Sequence, residues 1–563
     1  MSDPLLQVET IDVAYRQLDQ ASTDASAAPS TDHRALKQIS LTLHKGDRIG
    51  LVGESGCGKS TLGRAIMRLL PPSTQISGQV YFNGESVLDF SPQRLRQFRG
   101  EAVALVFQDP MTRLNPVMTV GQHCLETLKA HEPHVSHNEA TARVRATFEA
   151  VRISVDRQNQ YPHEFSGGMR QRVAIALALL LNPKLIVADE PTTSLDVTVA
   201  AEILQELVRL CDERQMALIL ISHDLSLVAE YCDRIAVMLA GEIVETGNAQ
   251  QVLRQPQHSY TRSLRDAAMR LQDDAESVAT TSPTTVSPWG PAPIPLLQVI
   301  DLVQHYALPQ PLLSRLRGQH AVVKAVDGVN LTLNSGEILG LVGESGCGKS
   351  TLSRAILQLV RPTSGQVMFR GQDLTTLSLS ALRPLRRHLQ MIFQDPHACL
   401  NPLMTIGRAI AEPLLIHNIT ADGTGSTQDA VMHMLETVGL TPASAFYHRY
   451  PKAISGGQQQ RVAIARALIT QPNLVICDEP VSMLDASIQT QILELMLALK
   501  NEFDLTYLFI THDLWVARFF CDRIAVMQAG QIVEVAEATE LFNAPQHPYT
   551  QKLLGSAPKL ALH

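Results

Sequence analysis

One glycine-rich stretch, GLVGESGCGKSTL, occurs twice in this chain without a difference, at Gly50–Leu62 and at Gly340–Leu352. It is part of a longer repeat, because CDRIAVM also occurs at both Cys232–Met238 and Cys521–Met527. The copies are separated by roughly 290 residues, which is the length of a whole domain and far more than one solenoid unit. The sequence therefore predicts two similar domains in tandem.

The segment between the copies differs from both of them in composition. Residues 273–295 are rich in Ser, Thr, Pro and Ala and show almost no periodic apolar pattern, which is typical of a flexible linker. We therefore predict a first domain at 1–272, a linker at 273–295 and a second domain at 296–563. The stretch Gln17–His33 has a similar composition and is predicted to be a surface loop.

Net charge and hydropathy bear on whether the chain binds nucleic acid, spans a membrane or is secreted. The formal net charge of −8 argues against a nucleic-acid binder that works through a basic surface. The longest apolar run, Val173–Leu181, is far shorter than the ~20 residues of a membrane-spanning helix. The N-terminal residues lack the basic flank, apolar run and small-residue site of a secretory signal. We expect a chain that neither binds nucleic acid nor enters a bilayer itself.

Each glycine-rich stretch lies between a predicted strand and a predicted helix. The strands are the apolar runs Arg48–Val52 and Ile338–Val342. The apolar face of the first helix is predicted to comprise Leu62, Ala65, Ile66, Leu69 and Leu70. In this context the pattern G-x-x-x-x-G-K-[ST] binds phosphate, because backbone N–H groups and the helix N-terminus point at the anion. The chain is therefore predicted to bind nucleoside triphosphate.

The polar residues of the loops have separate expected roles. Lys59 and Lys349 are expected to reach the β- and γ-phosphates, and Ser60 and Ser350 to place a hydroxyl on Mg²⁺. The loop residues predicted to contact the nucleotide are Gly53, Ser55, Gly56, Cys57, Gly58, Lys59, Ser60 and Thr61, with Gly343, Ser345, Gly346, Cys347, Gly348, Lys349, Ser350 and Thr351.

Two carboxylates follow a buried strand in each copy, in KLIVADEP and in NLVICDEP. Ligands of parallel sheets bind at the carboxyl ends of the strands, so we expect these carboxylates near the phosphate loop. Asp189 and Asp478 are predicted to hold Mg²⁺ through a water molecule. Glu190 and Glu479 are predicted to orient or deprotonate the attacking water.

Two more polar residues follow strands in each copy. The run Ala217–Ile221 is followed by Ser222 and His223, and the run Leu508–Ile510 by Thr511 and His512. Both histidines are predicted to sense the γ-phosphate and steady the water. Gln108 and Gln394 each follow an apolar run that ends in Phe, and their neutral amides are predicted to face the metal or the water.

A serine–glycine–glycine turn lies between the glutamine and the carboxylates, in FSGGM at Phe165–Met169 and in ISGGQ at Ile454–Gln458. These turns resemble the signature motif of ATP-binding cassette proteins, and the other motifs occur in that family's order in both copies. The resemblance implies ATP and Mg²⁺ as cofactors, and ATP hydrolysis. It also implies an α/β fold of tandem P-loop NTPase domains, each with a RecA-like parallel-sheet core, an antiparallel β subdomain and a helical signature subdomain.

In that family two cassettes pack head to tail, and each ATP lies between the phosphate loop of one and the signature of the other. The resemblance therefore implies that Ser455 and Gly457 complete the first site, and Ser166 and Gly168 the second. Met169 departs from the usual glutamine, which bears on the rate of the second site. The signature residues predicted to contact nucleotide are Ser166, Gly167, Gly168, Ser455, Gly456, Gly457 and Gln458, and Tyr15 and Tyr306 match the aromatic residue that stacks on adenine. Both sites are predicted to hydrolyse ATP.

The C-terminal segment of each copy, PQHSYTRSL at Pro256–Leu264 and PQHPYTQKLL at Pro545–Leu554, resembles the oligopeptide, dipeptide and nickel importer group of that family. We call these two segments the tail motifs. The resemblance implies an ATPase that powers import of peptides or peptide-like solutes. It implies two transmembrane permease subunits, an external solute-binding protein acting through them, and peripheral association with the cytoplasmic face of the plasma (inner) membrane.

An alternative is a soluble tandem-cassette ATPase that acts on the ribosome or on nucleic acid. Ribosomal factors of that kind have a long, helical and strongly charged segment between their cassettes. Residues 273–295 are few and nearly uncharged, and the tail motifs favour the importer. The cargo stays open among peptides, glutathione, peptide-like antibiotics and nickel chelates.

Overall fold

The computed structural model describes residues 3–15, 33–109, 113–193, 195–272, 295–307, 322–419 and 426–558. The described residues up to Met269 form mainly one compact unit, and those from Arg270 to Ala557 form mainly a second. Most of the predicted linker at 273–295 and of the predicted loop at 17–33 lies outside the described residues. The domain bounds at 1–272 and 296–563 stay a prediction.

Each unit contains a four-stranded antiparallel sheet. In the first unit its strands are β1 (Leu6–Tyr15), β2 (His33–Leu43), β4 (Gln75–Phe82) and β5 (Glu85–Ser86), in the order β2-β1-β4-β5. In the second unit they are β11 (Pro295–Ala307), β12 (Val322–Asn334), β14 (Ser364–Phe369) and β15 (Gln372–Asp373), in the equivalent order β12-β11-β14-β15. The repeat seen in the sequence is therefore a repeat of topology.

Each unit also contains a six-stranded sheet, in which five strands are parallel and the sixth, at one edge, is antiparallel to its neighbour. In the first unit the order is β10-β9-β3-β8-β7-β6, from β3 (Arg48–Val52), β6 (Val103–Val106), β7 (Leu185–Asp189), β8 (Ala217–Ser222), β9 (Arg234–Leu239) and β10 (Glu242–Asn248). In the second it is β16-β17-β18-β13-β19-β20, from β13 (Ile338–Val342), β16 (Leu389–Ile392), β17 (Leu474–Asp478), β18 (Thr506–Thr511), β19 (Arg523–Gln528) and β20 (Gln531–Glu537).

Helices cover these sheets and extend beyond them. The helices of the first half of the chain are α1 (Lys59–Ile66), α2 (Pro92–Gln97), α3 (Val120–His131), α4 (His137–Ala150), α5 (Gly167–Leu179), α6 (Val197–Arg214), α7 (Leu225–Tyr231), α8 (Ala249–Arg254) and α9 (Ser259–Gln272). Those of the second half are α10 (Lys349–Ile356), α11 (Leu379–Leu385), α12 (Pro396–Cys399), α13 (Ile406–Ile416), α14 (Thr427–Thr437), α15 (Ala443–Tyr447), α16 (Gly456–Leu468), α17 (Ala486–Phe503), α18 (Leu514–Phe520), α19 (Ala538–Asn543) and α20 (Pro548–Ser556). In the described part of the chain, no helix combines the length and the apolar character needed to span a bilayer.

The parallel sheet separates two hydrophobic cores in each unit, because successive side chains of a strand point to opposite faces. In β7, Leu185 and Val187 pack into the core shared with the antiparallel sheet. Ile186 and Ala188 of the same strand pack into the core shared with α3, α4 and α5. The predicted α/β architecture, with a parallel core, an antiparallel sheet and a helical region that carries the signature turn, is confirmed in both units.

The helix after the phosphate loop is shorter than its apolar pattern predicts. α1 ends at Ile66, and Leu69 is 37% exposed. Arg68 has a left-handed φ of 53°, and the N–H groups of Arg68 and Leu69 bond back to carbonyls of α1, which closes the helix. The prediction that the helix continues to Leu69 and Leu70 was therefore wrong, although Leu70 packs against the same core as Leu62.

Candidate functional site

The phosphate loop of the first unit connects β3 to α1, and two of its glycines are required by space as well as by conformation. A Cβ atom on Gly53 would lie 2.1 Å from the carbonyl oxygen of Met238, and one on Gly58 would lie 2.6 Å from that of Ala35. Both have positive φ, 156° and 107°. Ser55 and Gly56 lie exposed at the tip of the loop. The second loop repeats this arrangement at Gly343, Ser345, Gly346 and Gly348.

The loop lysine of each unit is buried beneath the loop. Lys59 is 5% exposed, and its Nζ donates to the carbonyl oxygens of Gly53 at 2.6 Å and of Glu54 at 2.9 Å. Its ammonium also lies 3.9 Å from the thiol sulfur of Cys57. The second loop holds its lysine in the same way, through Lys349, Gly343, Glu344 and Cys347. The lysine side chain is thus oriented by the loop's own backbone.

The loop serine and the first strand-end carboxylate lie side by side in each unit. Ser60 Oγ donates to Asp189 Oδ1 at 2.7 Å, and Ser350 Oγ donates to Asp478 Oδ1 at 3.2 Å. Burial raises the pKa of both aspartates, although the serine hydroxyls act in the opposite direction. A hydroxyl beside a buried carboxylate offers hard oxygen ligands, and a bound cation would stabilise the ionised carboxylate. These residues fit Mg²⁺.

The second carboxylate sits on a strained backbone at the end of the strand. Glu190 and Glu479 have positive φ values of 48° and 50°, which non-glycine residues rarely adopt. The carboxylate of Glu479 lies 3.1 Å from Nδ1 of His512, and that of Glu190 lies 3.6 Å from Nδ1 of His223. Burial raises the pKa of each glutamate, but the histidine and the loop lysine, with Thr193 in the first unit, together outweigh burial, and the net pKa is lowered. The glutamates are held in the ionised form that can accept a proton.

The predicted glutamines also contact these glutamates. Gln108 Nε2 donates to Glu190 Oε2 at 2.7 Å, and Gln394 Nε2 donates to Glu479 Oε2 at 2.8 Å. In the first unit Thr193 Oγ1 donates to the same carboxylate oxygen at 3.0 Å. The structure thus brings the predicted glutamine, carboxylates and histidine together beside the loop in both units. The roles assigned to them stay predictions.

The two signature turns differ at the start of their helices. Ser455 Oγ accepts from the N–H of Gln458 at 3.4 Å, and Gln458 Oε1 accepts from the N–H of Ser455 at 3.1 Å, which is a capping box. Ser166 makes no such side-chain cap on α5. Met169 occupies the position of Gln458, and its thioether instead accepts from Arg157 Nη1 at 2.8 Å. The departure seen in the sequence therefore removes a cap.

The signature glycines differ in their surroundings. A Cβ atom on Gly168 would lie 2.3 Å from a methyl group of Val199 on α6, and one on Gly457 would lie 2.8 Å from Ile488 on α17. Gly167 and Gly456 meet their nearest neighbours at 3.3 Å and 4.0 Å. The third residue of each Ser-Gly-Gly turn must therefore be glycine, because the signature helix packs closely on a neighbouring helix of the same unit.

The predicted adenine-stacking tyrosines are at the ends of the antiparallel strands. Tyr15 is the last residue of β1, and its hydroxyl lies 3.4 Å from Thr61 Oγ1 at the start of α1. Tyr306 lies near the end of β11 and is 41% exposed. Thr351, the counterpart of Thr61, is half-buried in the first turn of α10.

One residue that contacts each phosphate loop was not predicted from the sequence: Tyr260 in the first unit and Tyr549 in the second. Tyr260 Oη accepts from the backbone N–H of Glu54 at 2.9 Å, and Tyr549 Oη accepts from that of Glu344 at 3.1 Å. Both tyrosines belong to the tail motifs. The recurrence of Tyr-Thr in both tail motifs was a visible signal, but nothing local linked it to the loop.

Two family models match this chain. A family model described as ABC transporter matches residues 36–193 and 326–482, more than half of the chain. A second, described as the oligopeptide/dipeptide transporter C-terminal region, matches residues 244–288 and 533–563, which include the tail motifs. The chain belongs to the ABC transporter family.

Curated relatives match along nearly the whole chain. The glutathione import ATP-binding protein GsiA of Escherichia coli is 42% identical over 579 residues, which cover 98% of this chain and 89% of that protein. GsiA of Salmonella typhimurium is 42% identical over 546 residues, covering 93% and 86%. A solved dimeric ATP-binding cassette in a post-hydrolysis state, bound to ADP and Pi, is 29% identical and covers 43% of this chain and 98% of its own, with a TM-score of 0.38.

Membership of this family confirms the enzymatic predictions. The chain carries two ATP-binding cassettes, binds ATP with Mg²⁺ and hydrolyses it. It works with membrane permease subunits, and its own place is expected on the cytoplasmic side.

Proposed function

We propose that this chain powers the import of peptides or peptide-like solutes across the cytoplasmic membrane. The observation that carries the proposal is the tail motif, which is present in both cassettes and bonded to the phosphate loop in both. The relatives named for glutathione import favour a small peptide as cargo, since glutathione is a tripeptide. An external solute-binding protein would deliver it to the permeases.

Within each cassette we assign the site residues separate roles. The lysine binds the β- and γ-phosphates; the serine, the aspartate and the glutamine face Mg²⁺; and the glutamate orients or deprotonates the water. The histidine contacts the γ-phosphate and holds the glutamate ionised. Mg²⁺, when bound, neutralises charge that develops on the phosphate oxygens. Completion of each site by Ser455 and Gly457, or by Ser166 and Gly168, stays a prediction from the family resemblance.

The contact with the permeases is assigned to the residues that follow Gln108 and Gln394. Val117 and Leu403 hold equivalent positions in these segments and are 77% and 85% exposed. Largely exposed aliphatic side chains at the same place in both cassettes support a docking surface for an apolar partner. Docking there would attach the chain peripherally to the cytoplasmic face of the membrane.

The soluble ribosomal or nucleic-acid ATPase receives no support from the matched family models or from the curated relatives. We therefore do not propose it. Its discriminating test is co-purification: the importer ATPase should be recovered with permease subunits, and a ribosomal factor with ribosomes.

Reconstitution tests the proposal. The chain, the permeases and the solute-binding protein would be assembled in liposomes. Uptake of labelled glutathione and of short peptides would then be measured with ATP supplied either inside or outside the liposomes. The Val117→Asp, Leu403→Asp double variant should lose permease binding and solute-stimulated ATP hydrolysis. Leu379→Asp is the matched control, since Leu379 is 68% exposed on α11. Permease binding unaffected by the double variant would contradict the docking surface, and ATP-dependent efflux would contradict import.

A further inference from the structure

The tail motifs reach the phosphate loops through a single tyrosine hydroxyl in each cassette. Tyr260, in the first turn of α9, accepts the N–H of Glu54 at 2.9 Å, and Tyr549, in the first turn of α20, accepts that of Glu344 at 3.1 Å. The partners are 206 and 205 residues apart in the chain. The same long-range bond, to the equivalent loop N–H, is present in both copies, which indicates a regular structural feature of the cassette.

The bonded N–H belongs to a peptide group that also holds the loop lysine. The carbonyl of that peptide is the Gly53 oxygen, which accepts from Lys59 Nζ at 2.6 Å. In the second cassette Gly343 O accepts from Lys349 Nζ at 2.7 Å. Because a peptide group is planar, its N–H and C=O turn together. A hydroxyl that fixes the N–H therefore also fixes the carbonyl acceptor of the lysine.

The tyrosine is itself held in place at the start of its helix. Glu245, on β10, accepts the backbone N–H groups of Gln257 and His258 at 2.9 and 3.0 Å. His258 Nδ1 in turn accepts the N–H of Tyr260 at 3.2 Å. The second cassette repeats all three bonds through Glu534, Gln546, His547 and Tyr549. The tyrosine is therefore held in place by a glutamate on the antiparallel edge strand of the six-stranded sheet, Glu245 on β10 or Glu534 on β20.

We propose that Tyr260 and Tyr549 are positioning residues for ATP binding, because each hydroxyl holds the loop peptide that orients the phosphate lysine. Tyr549 is only 7% exposed, so water is poorly placed to replace its hydroxyl. A loop that is already ordered loses less freedom when it closes on the triphosphate, which favours binding. The tail motif would then act on the nucleotide site of its own cassette.

The test is the double variant Tyr260→Phe, Tyr549→Phe in the full-length chain, which removes both hydroxyls and keeps both rings. Steady-state ATP hydrolysis gives the KM for ATP and kcat, and thermal unfolding gives the Tm. We expect the KM to rise roughly 3- to 10-fold, from loss of one hydrogen bond at each site, while kcat changes less than about twofold. Each single variant is measured in the same way.

Tyr507→Phe is the matched control. Tyr507 is fully buried on β18, and its hydroxyl donates to the carbonyl of Met496 at 3.2 Å. This control should lower the Tm and leave the KM unchanged. A rise in KM of less than about threefold in the double variant, with or without a fall in kcat or Tm, overturns the proposal, and if the double variant does not fold, the single variants decide by the same threshold. The experiment needs neither permease nor cargo, so failure of import would leave its result standing.

Discussion

Gln108 donates its side-chain N–H to the carboxylate of Glu190 over 2.7 Å, and the same pair recurs as Gln394 and Glu479 at 2.8 Å. The glutamine comes from the end of one strand and the glutamate from the end of its neighbour in the parallel sheet. The segments that follow these glutamines carry the exposed Val117 and Leu403. The glutamine that precedes the proposed docking segment in the chain therefore contacts the proposed base.

The two glutamates are held by different sets of groups, which predicts unequal effects of removing the glutamine. Thr193 donates to the carboxylate of Glu190, whereas Ser482, its counterpart, donates to the backbone carbonyl of Glu479. We expect Gln394→Ala to lower kcat more than Gln108→Ala, by roughly twofold or more between the two variants. Steady-state ATP hydrolysis measures this. Equal losses, or a larger loss in Gln108→Ala, would show that Thr193 gives the glutamate no added support.

Gly53→Ala should abolish ATP binding at the first site. The added methyl group would lie 2.1 Å from the Met238 carbonyl oxygen, and backbone atoms must move to relieve the overlap. Gly371→Ala is the control, because Gly371 also has a positive φ, 76°, with open space around it. Titration with a fluorescent ATP analogue should show about half of the wild-type stoichiometry for Gly53→Ala and full stoichiometry for Gly371→Ala. Full stoichiometry in both would contradict this account of the loop.

Met169→Gln should stabilise the start of α5. A glutamine there can accept from the Ser166 N–H, as Gln458 does from Ser455, and a cap contributes about 0.5–2 kcal/mol. Hydrogen exchange of the first-turn amides reports this locally, without assuming that two cassettes unfold together. Gln458→Met should lower the protection of α16 by a similar amount. Unchanged protection in both variants would remove the cap as the physical difference between the signatures.

The hydrogen bonds from the N–H groups of Gln257 and His258 to Glu245, which we call the tail clamp, should depend on the charge of Glu245. Burial raises the pKa of Glu245, but the backbone N–H groups of Gln257 and His258, together with the Thr261 side chain and the His258 ring, outweigh burial, and the net pKa is lowered. Its contribution is therefore fully present above the ordinary pKa of about 4.5 and is lost as pH falls through the lowered value. We expect exchange protection of those two amides to fall in that acid range, and to be low already at neutral pH in Glu245→Gln. Protection that is the same in Glu245→Gln and wild type at pH 7 would argue against the clamp.

The features that could be predicted from the sequence are those that depend on residues close together in the chain. The phosphate loop, its flanking strand and the strand-end carboxylates each depend on neighbours within about ten residues, and β3 and β13 have the predicted bounds. The end of α1 was mispredicted because the apolar pattern continues past Arg68, where the backbone turns left-handed. The bond from Tyr260 to Glu54 was out of reach, because it depends on how a distant helix returns to the loop.

Turnover in the separate variants Glu190→Gln and Glu479→Gln tests the central claim, that both cassettes hydrolyse ATP. Each substitution keeps the shape of the side chain and removes the carboxylate that the histidine holds ionised. We predict that each single variant loses half of the wild-type kcat or more, and that the double variant loses about 100-fold or more. Wild-type turnover in either single variant would show that its cassette does not hydrolyse ATP, and would contradict the claim.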